Sequence, residues 1–335
     1  MKMINVIKTG ILLLSFTSIY IHYLNNESSK VQWQLYQDIS QNSYKEASTA
    51  RFNSLNFDYP NLTLSSLPIK GLAARYYLLG ERYNEALDLL NDAERANPYI
   101  MWSESLKQEV FQALSVKDSS RFYAEKAFTG IPNNGKHFIQ LSKVYANNNE
   151  FDKVDSIFSI VEGKKKNDIY KIYLSTWLTN KDSISQKAIN TAKNSIKIFG
   201  DSDSELKLVS DYVIFGMENI KKSVSQDSIA TIYFFNEDYR KAAIHFENAA
   251  KLNPAEYTHF ENAGISNFKF GYYERSIPYL IKVIDSLNPG TGKSEFVLAQ
   301  VYAELKDFKN ACDFIMKSAQ SDFKDSFALI GEYCK

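Results

Sequence analysis

Apolar and small residues recur along this chain at two spacings, one nested inside the other. At the short spacing, Tyr83, Ala86, Leu87, Leu90 and Ala93 fall every third or fourth position, the stripe of an amphipathic helix. Ala73, Ala74 and Tyr77 mark one face of a helix before it, with Gly80-Glu81-Arg82 as the turn and Asn97-Pro98 as the stop. At the long spacing the same pattern returns about every 34 residues. Stepping from Ala86 reaches Ser120, Val154 and Ala188; a second series runs from Ala242 to Ser276, and Ala311 lies one residue beyond the next step. All are small or short side chains, as needed where two helices cross closely, because overpacking there costs about 1–3 kcal/mol. The period predicts an all-α stack of helix pairs, not one closed core.

On this frame the chain divides as follows. Residues 67–202 form four units: Leu67–Ile100, Met101–Asn134, Gly135–Asp168 and Ile169–Ser202. Residues 223–324 form three more. The stretch 25–66 holds Trp33, Tyr36, Tyr44 and Ala47 and reads as a degenerate first unit with a loop. The step from Ala188 to Ala242 exceeds one period by about 20 residues. The surplus, 203–222, has Leu206, Val209, Val213, Met217 and Ile220 at helical spacing. It predicts one extra helix that caps the first block and sets the second at an angle to it. Residues 325–335 predict a terminal helix over the last apolar face, as stacked arrays require.

Ala74, Tyr77, Tyr83, Ala86, Ala93 and Pro98, repeated as Ala230, Tyr233, Tyr239, Ala242, Ala249 and Pro254, resemble the tetratricopeptide repeat (TPR) family. Other units match in part: Gln108 and Lys117 depart from the pattern in the second, and Thr179 and Ser185 in the fourth. The resemblance covers Leu67 to the C-terminus and implies a helix-turn-helix solenoid that binds protein segments. In that family the first helix of each unit lines a concave groove. Carried over unit by unit, this implies Arg75, Glu109, Lys143, Trp177, Phe235 and Lys269 as groove residues. Trp177 has two readings, a core side chain or an anchor for a peptide or sugar ring.

Residues 1–24 are different in kind. Lys2 and Lys8 precede an uncharged run from Thr9 to Leu24. That run makes roughly 24 Å of helix, and counting from Ile4 with Lys8 snorkelling extends it to about 31 Å, enough for a ~30 Å hydrocarbon core. The expectation is an uncleaved signal anchor; a cleaved signal peptide and a buried N-terminal helix are the alternatives. Lysines ahead of the run place the remainder outside the cytoplasm by the positive-inside rule. The protein is thus expected in the inner (cytoplasmic) membrane, single-pass, with its repeats periplasmic.

Charge adds little. Lysine plus arginine and aspartate plus glutamate are equal at 39, so no net field draws the chain to nucleic acid. Gly290-Thr291-Gly292-Lys293-Ser294 mimics the tail of a phosphate-binding loop, but Leu287 stands where that motif needs glycine and no strand precedes it. It reads as an inter-helix loop. His245 and His259 read as two solvated or capping imidazoles, with a metal pair across a unit junction as the alternative, and Lys164-Lys165-Lys166 is a solvated basic turn or an acidic contact. Cys312 and Cys334 lie on elements expected to pack together; in an exported chain they are permitted a disulfide, and otherwise are two free thiols. No catalytic constellation, cofactor motif or metal set is evident. The function expected is a membrane-tethered, non-catalytic scaffold binding a protein partner through its groove. The alternative is an accessory module for cell-envelope polysaccharide assembly, similar in architecture to repeat domains of O-antigen polymerase and ligase relatives.

Overall fold

The computed structural model describes residues 2–53, 59–164, 166–180 and 183–334. It is all-α and divides into two compact units, Met1–Ser183 and Ile184–Lys335. The division falls inside the stretch Ile169–Ser202 that the period marks as one pair.

The first unit holds α1 (Lys2–Ser40), α2 (Glu46–Asn53), α3 (Ile69–Leu79), α4 (Tyr83–Ala96), α5 (Trp102–Ala113), α6 (Lys117–Gly130), α7 (Gly135–Asn147), α8 (Phe151–Val161) and α9 (Asn167–Trp177). The pairs α3/α4, α5/α6 and α7/α8 pack in series, with α3 against α5 and α5 against α7. Tyr76, Leu72 and Leu90 are fully buried in the core that the first pair shares with the helices before it, and Phe138 and Phe158 in the third pair. Burying one such side chain is worth about 1.5–3 kcal/mol.

The apolar run at the N-terminus continues without a break to Ser40. Nothing in Asn25-Asn26-Glu27 stops a helix, so α1 extends 16 residues past Leu24 into the stretch expected to begin a separate degenerate unit. Its last turns do the work of that unit's first helix. Leu35 is buried against Leu72 and Tyr76 of α3. Asp38 accepts from Ser48 Oγ at 2.8 Å and from Lys45 Nζ at 2.6 Å, fixing α2.

The second unit holds α10 (Gln186–Phe199), α11 (Ser204–Phe215), α12 (Met217–Phe235), α13 (Tyr239–Leu252), α14 (Tyr257–Phe270), α15 (Tyr273–Lys282), α16 (Lys293–Glu304), α17 (Phe308–Gln320) and α18 (Ser326–Tyr333). The stretch 203–222 is not one helix. Gly216, at φ +89 and ψ 133, a conformation open to glycine, ends α11 and opens α12. The remaining residues of that stretch are the first turns of α12, which runs on as the first helix of the next pair. α11 packs on α10 and α12, with Ser195 Oγ and Ser210 Oγ 2.9 Å apart. At the far end α18 covers α17, as the terminal stretch predicts, and a disulfide joins Cys312 to Cys334.

One backbone device recurs at the turns. Glu81, Ser115, Asn149, Glu237, Gly271 and Lys306 all have φ between +56 and +89. At each, the next residue's N–H donates back five positions: Arg82 to Tyr77 O, Val116 to Phe111 O, Glu150 to Tyr145 O, Asp238 to Tyr233 O, Tyr272 to Asn267 O and Asp307 to Tyr302 O, all at 2.8–3.0 Å. These are left-handed C-caps that satisfy the first helix's orphan carbonyls and reverse the chain. In the first pair the left-handed residue is Glu81; Gly80 itself has φ −91. Within each unit the caps keep the 34-residue step, from Glu81 to Ser115 to Asn149 and from Glu237 to Gly271; Lys306 then comes one residue late, matching the displaced Ala311. The extra residue lies in a π-turn, Val283–Leu287, which continues α15 and closes with Asn288 N–H on Val283 O. A π-turn is one residue inserted into a helix.

Candidate groove faces

Each helix pair presents its first helix at equivalent register, so residues one period apart form rows. In the first unit the row is Arg75, Glu109 and Lys143. Arg75 and Lys143 are exposed and Glu109 is half-buried. Glu109 is held by Lys136 Nζ at 2.7 Å and Gln140 Nε2 at 3.1 Å, both from α7. Gln140 also accepts from Ser105 Oγ at 2.9 Å and donates to Ser105 O at 3.0 Å. This polar lattice fixes α5 against α7, so the row stands on a rigid base.

Trp177 does not join the row. It is 4 % exposed, donates Nε1 to Asp155 Oδ1 at 2.8 Å and packs on Phe151 at 4.9 Å between ring centroids. Burial selects the core reading, and the ring offers no face to a peptide or a sugar. The preceding aromatics explain this. Tyr173 stacks on Phe158 at 3.9 Å and also donates to Asp155, so α9 fills an aromatic core that extends to its last residue.

In the second unit Phe235 is 79 % exposed and Lys269 is exposed one period later. Sequence reasoning missed what surrounds Phe235. Val224 and Ile232 on the same face of α12 are 59 % and 61 % exposed. Their spacing from Phe235, eleven and three residues respectively, was the available signal. With Phe235 they form an exposed apolar strip on α12.

The other singled-out residues have structural partners. Lys293 Nζ and Ser294 Oγ each bond Glu261, on separate oxygens, at 2.8 Å. The two side chains that a phosphate would need are thus held by a carboxylate, and Gly292 O accepts from Ser318 Oγ. His245 bonds Gln226 at 2.8 Å and stacks on Tyr233, while His259 bonds Asp227 at 3.0 Å. No group of three or more metal-ligating side chains occurs among the described residues. Lys165 of the basic run lies outside the described residues.

A tetratricopeptide repeat family model matches residues 296–325, the pair α16/α17. With the recurring caps and paired helices, that match decides the fold. The chain is a TPR-like α-solenoid. Among curated proteins no sequence matches it. Solved structures that it is similar to include the TPR2AB domain of yeast Sti1 in complex with pHSP90, at 13% identity and TM-score 0.33, covering 79% of this chain and 97% of that one. A tetratricopeptide repeat protein from Parabacteroides merdae shares 11% identity at TM-score 0.33, covering 78% and 96%. PilF of Pseudomonas aeruginosa shares 10% at TM-score 0.27, covering 78% and 95%. TPR-like solenoids present surfaces rather than reaction centres.

Proposed function

We propose that this protein is a membrane-tethered, extracytoplasmic scaffold that binds an extended protein segment along its first-helix faces. The observation that carries the reading is the row Arg75, Glu109 and Lys143 in the first unit, exposed or half-exposed on a base held rigid by Ser105 and Gln140. A pre-organised face of alternating charge lowers the ordering cost of binding. Phe235 with Ile232 supplies an aromatic anchor in the second unit.

Tethering is supported by α1. Its apolar window has mean hydropathy 1.3 and none of it is buried. Leu13, Leu14, Phe16 and Ile19 are each more than 60 % exposed, an unfavourable array in water and a favourable one in hydrocarbon. Lys2 and Lys8 ahead of it favour an outward-facing remainder, and the Cys312–Cys334 bond suits an oxidising compartment.

The test is crosslinking of intact cells from outside the inner membrane, with captured protein identified by mass spectrometry. A recurrent partner lost from the Arg75→Glu/Lys143→Glu double variant is the expected result. Capture that ignores both substitutions overturns the groove assignment. Resistance of the repeats to protease added outside spheroplasts overturns the topology.

A further inference from the structure

Two loops of the first unit expose apolar side chains that the fold does not bury. Leu64 is fully exposed at the tip of the loop before α3, and Tyr99, in the turn before α5, is 84 % exposed. The first loop is a tight hairpin. Leu62 pairs with Pro68, Thr63 N–H donates to Leu67 O at 2.8 Å, Ser66 N–H donates to Thr63 O at 3.0 Å, and Leu67 N–H donates to Thr63 Oγ1 at 3.0 Å. Asn97 Nδ2 donates to Ser66 O at 2.9 Å, which ties the turn carrying Tyr99 to the hairpin carrying Leu64. A single exposed apolar residue is ordinary; two on one tied edge, at the end of an apolar helix, are a candidate contact.

That edge lies toward the apolar run of α1. α3 packs on α1, and its C-terminal half abuts the residues just past Ser40. There Tyr76 Oη donates to Lys45 O at 2.9 Å, and its ring lies 5.1 Å from that of Tyr44. The start of α3, and the hairpin before it, therefore sit at the other end, nearer the apolar turns. A cleft of about 450 Å³ shows how near: Asn25, Ser29 and Trp33 of α1 line it together with Pro60, Leu62 and Leu64. Asn25 is the first residue past the run. Ile21 and Leu24, in the run's last turns, are half-buried, whereas every residue from Ile11 to Tyr20 is exposed. The body of the unit thus begins where the apolar run ends. At 1.5 Å per residue, Asn25 to Ser29 lies within about 8 Å of Leu24, against about 5–7 Å for the headgroup layer on each side of the hydrocarbon core.

We propose that this edge rests on the lipid bilayer, with Leu64 and Tyr99 entering the headgroup–acyl boundary of the outward-facing leaflet beside α1. Tyr20 and Tyr23, both exposed, mark the same boundary on α1 itself. Tyrosine suits that layer because its ring is apolar and its hydroxyl reaches water. The proposal rests on α1 spanning the membrane and is independent of the groove reading. The first unit then sits flush with the membrane and not at the end of a stalk.

The oxidised chain has no free thiol, so single cysteines placed at Leu64, Tyr99, Leu14 and Lys117 can each carry an environment-sensitive fluorophore. All four positions are exposed, and substitution there leaves the fold intact. The full chain is reconstituted into phosphatidylcholine/phosphatidylglycerol vesicles with bromine at a shallow or a deep acyl position. Leu14→Cys reports the span through quenching by deep bromine. Loss of emission with shallow bromine is expected at Leu64→Cys and Tyr99→Cys, and none at Lys117→Cys, at the far end of α5 from Tyr99. Leu64→Asp is expected to reduce quenching of the Tyr99→Cys label. Quenching at Leu14 with none at Leu64 and Tyr99 overturns the proposal and leaves the tether standing. No quenching at Leu14 overturns the tether and the proposal with it. Equal quenching at Lys117, or a Tyr99 signal that Leu64→Asp leaves unchanged, overturns the proposal alone. Loss of partner capture on Leu64→Asp with no quenching at Leu64 assigns the hairpin to a protein partner and also overturns it.

Discussion

The indole Nε1 of Trp177 donates to Asp155 Oδ1 at 2.8 Å, joining the last helix of the first unit to α8. Tyr173 Oη donates to the same oxygen at 2.7 Å. One carboxylate therefore satisfies two buried aromatic donors. Asp155→Ala removes both bonds and is expected to cost about 2–4 kcal/mol. Chemical denaturation checks this. Trp177→Ala is expected to cost about 3–5 kcal/mol through the cavity it leaves, while capture of the partner is retained in whatever protein remains folded.

Glu94 of α4 accepts from Lys107 Nζ at 2.6 Å and Lys126 Nζ at 2.5 Å. Burial opposes its charge, but the two lysine hydrogen bonds and their charges prevail and hold its pKa at about 2, below the ordinary 4.5. A carboxyl depressed in the folded state stabilises fully above its unfolded pKa. That contribution, about 1–3 kcal/mol after allowance for the partly exposed lysine, is lost as pH falls from about 4.5 to about 2. The Glu94→Gln variant should show a flatter decline of stability across that window in acid titration followed by circular dichroism.

Gly264 of α14 faces Leu280 of α15 so closely that an added Cβ would meet Leu280 Cγ at 2.6 Å. Its backbone O also accepts from the buried Ser276 Oγ at 2.7 Å. Gly264→Val should therefore cost about 1–3 kcal/mol by forcing the pair apart, despite valine's better helix propensity. The loss should appear as faster amide exchange in α14 and α15.

Cys312 and Cys334 close a loop of 22 residues, and the bond pins α18 to α17. Its loss should remove about 3 kcal/mol of stability on the chain-entropy account. Hydrogen exchange with and without reductant is the measurement, and the expected change is confined to α17, α18 and the turn between them. Equal protection in both states would mean that packing alone holds the terminal helix.

Much of the architecture was legible because small residues must recur where helices cross. Ala86, Ala242 and Ala311 mark those crossings, and all three are fully buried. Even the one-residue displacement at Ala311 was visible, though its cause was not, since a π-turn leaves no distinctive residue type. The unbroken length of α1 was obscured by a change in polarity at Asn25, which alters the surroundings of a helix without ending it. Gly216 was legible in principle, as a glycine amid a helical pattern, but the apolar spacing on both sides outweighed it. The residues expected in the groove differ in exposure for a related reason. Period alone assigns Trp177 to the same row as Arg75, and only the aromatic core formed with Phe151, Phe158 and Tyr173 draws it inward.

The continuity of α1 from Lys2 to Ser40 also has a mechanical meaning. Thirty-nine residues of uninterrupted helix form a rod of about 58 Å. Leu35 and Asp38, near one end, are clamped to α2 and α3, while the apolar turns at the other end stand free. Such a rod transmits torque. Whatever fixes the rotation of its apolar end about the helix axis also sets the compass bearing of Arg75, Glu109 and Lys143, with no swivel between them.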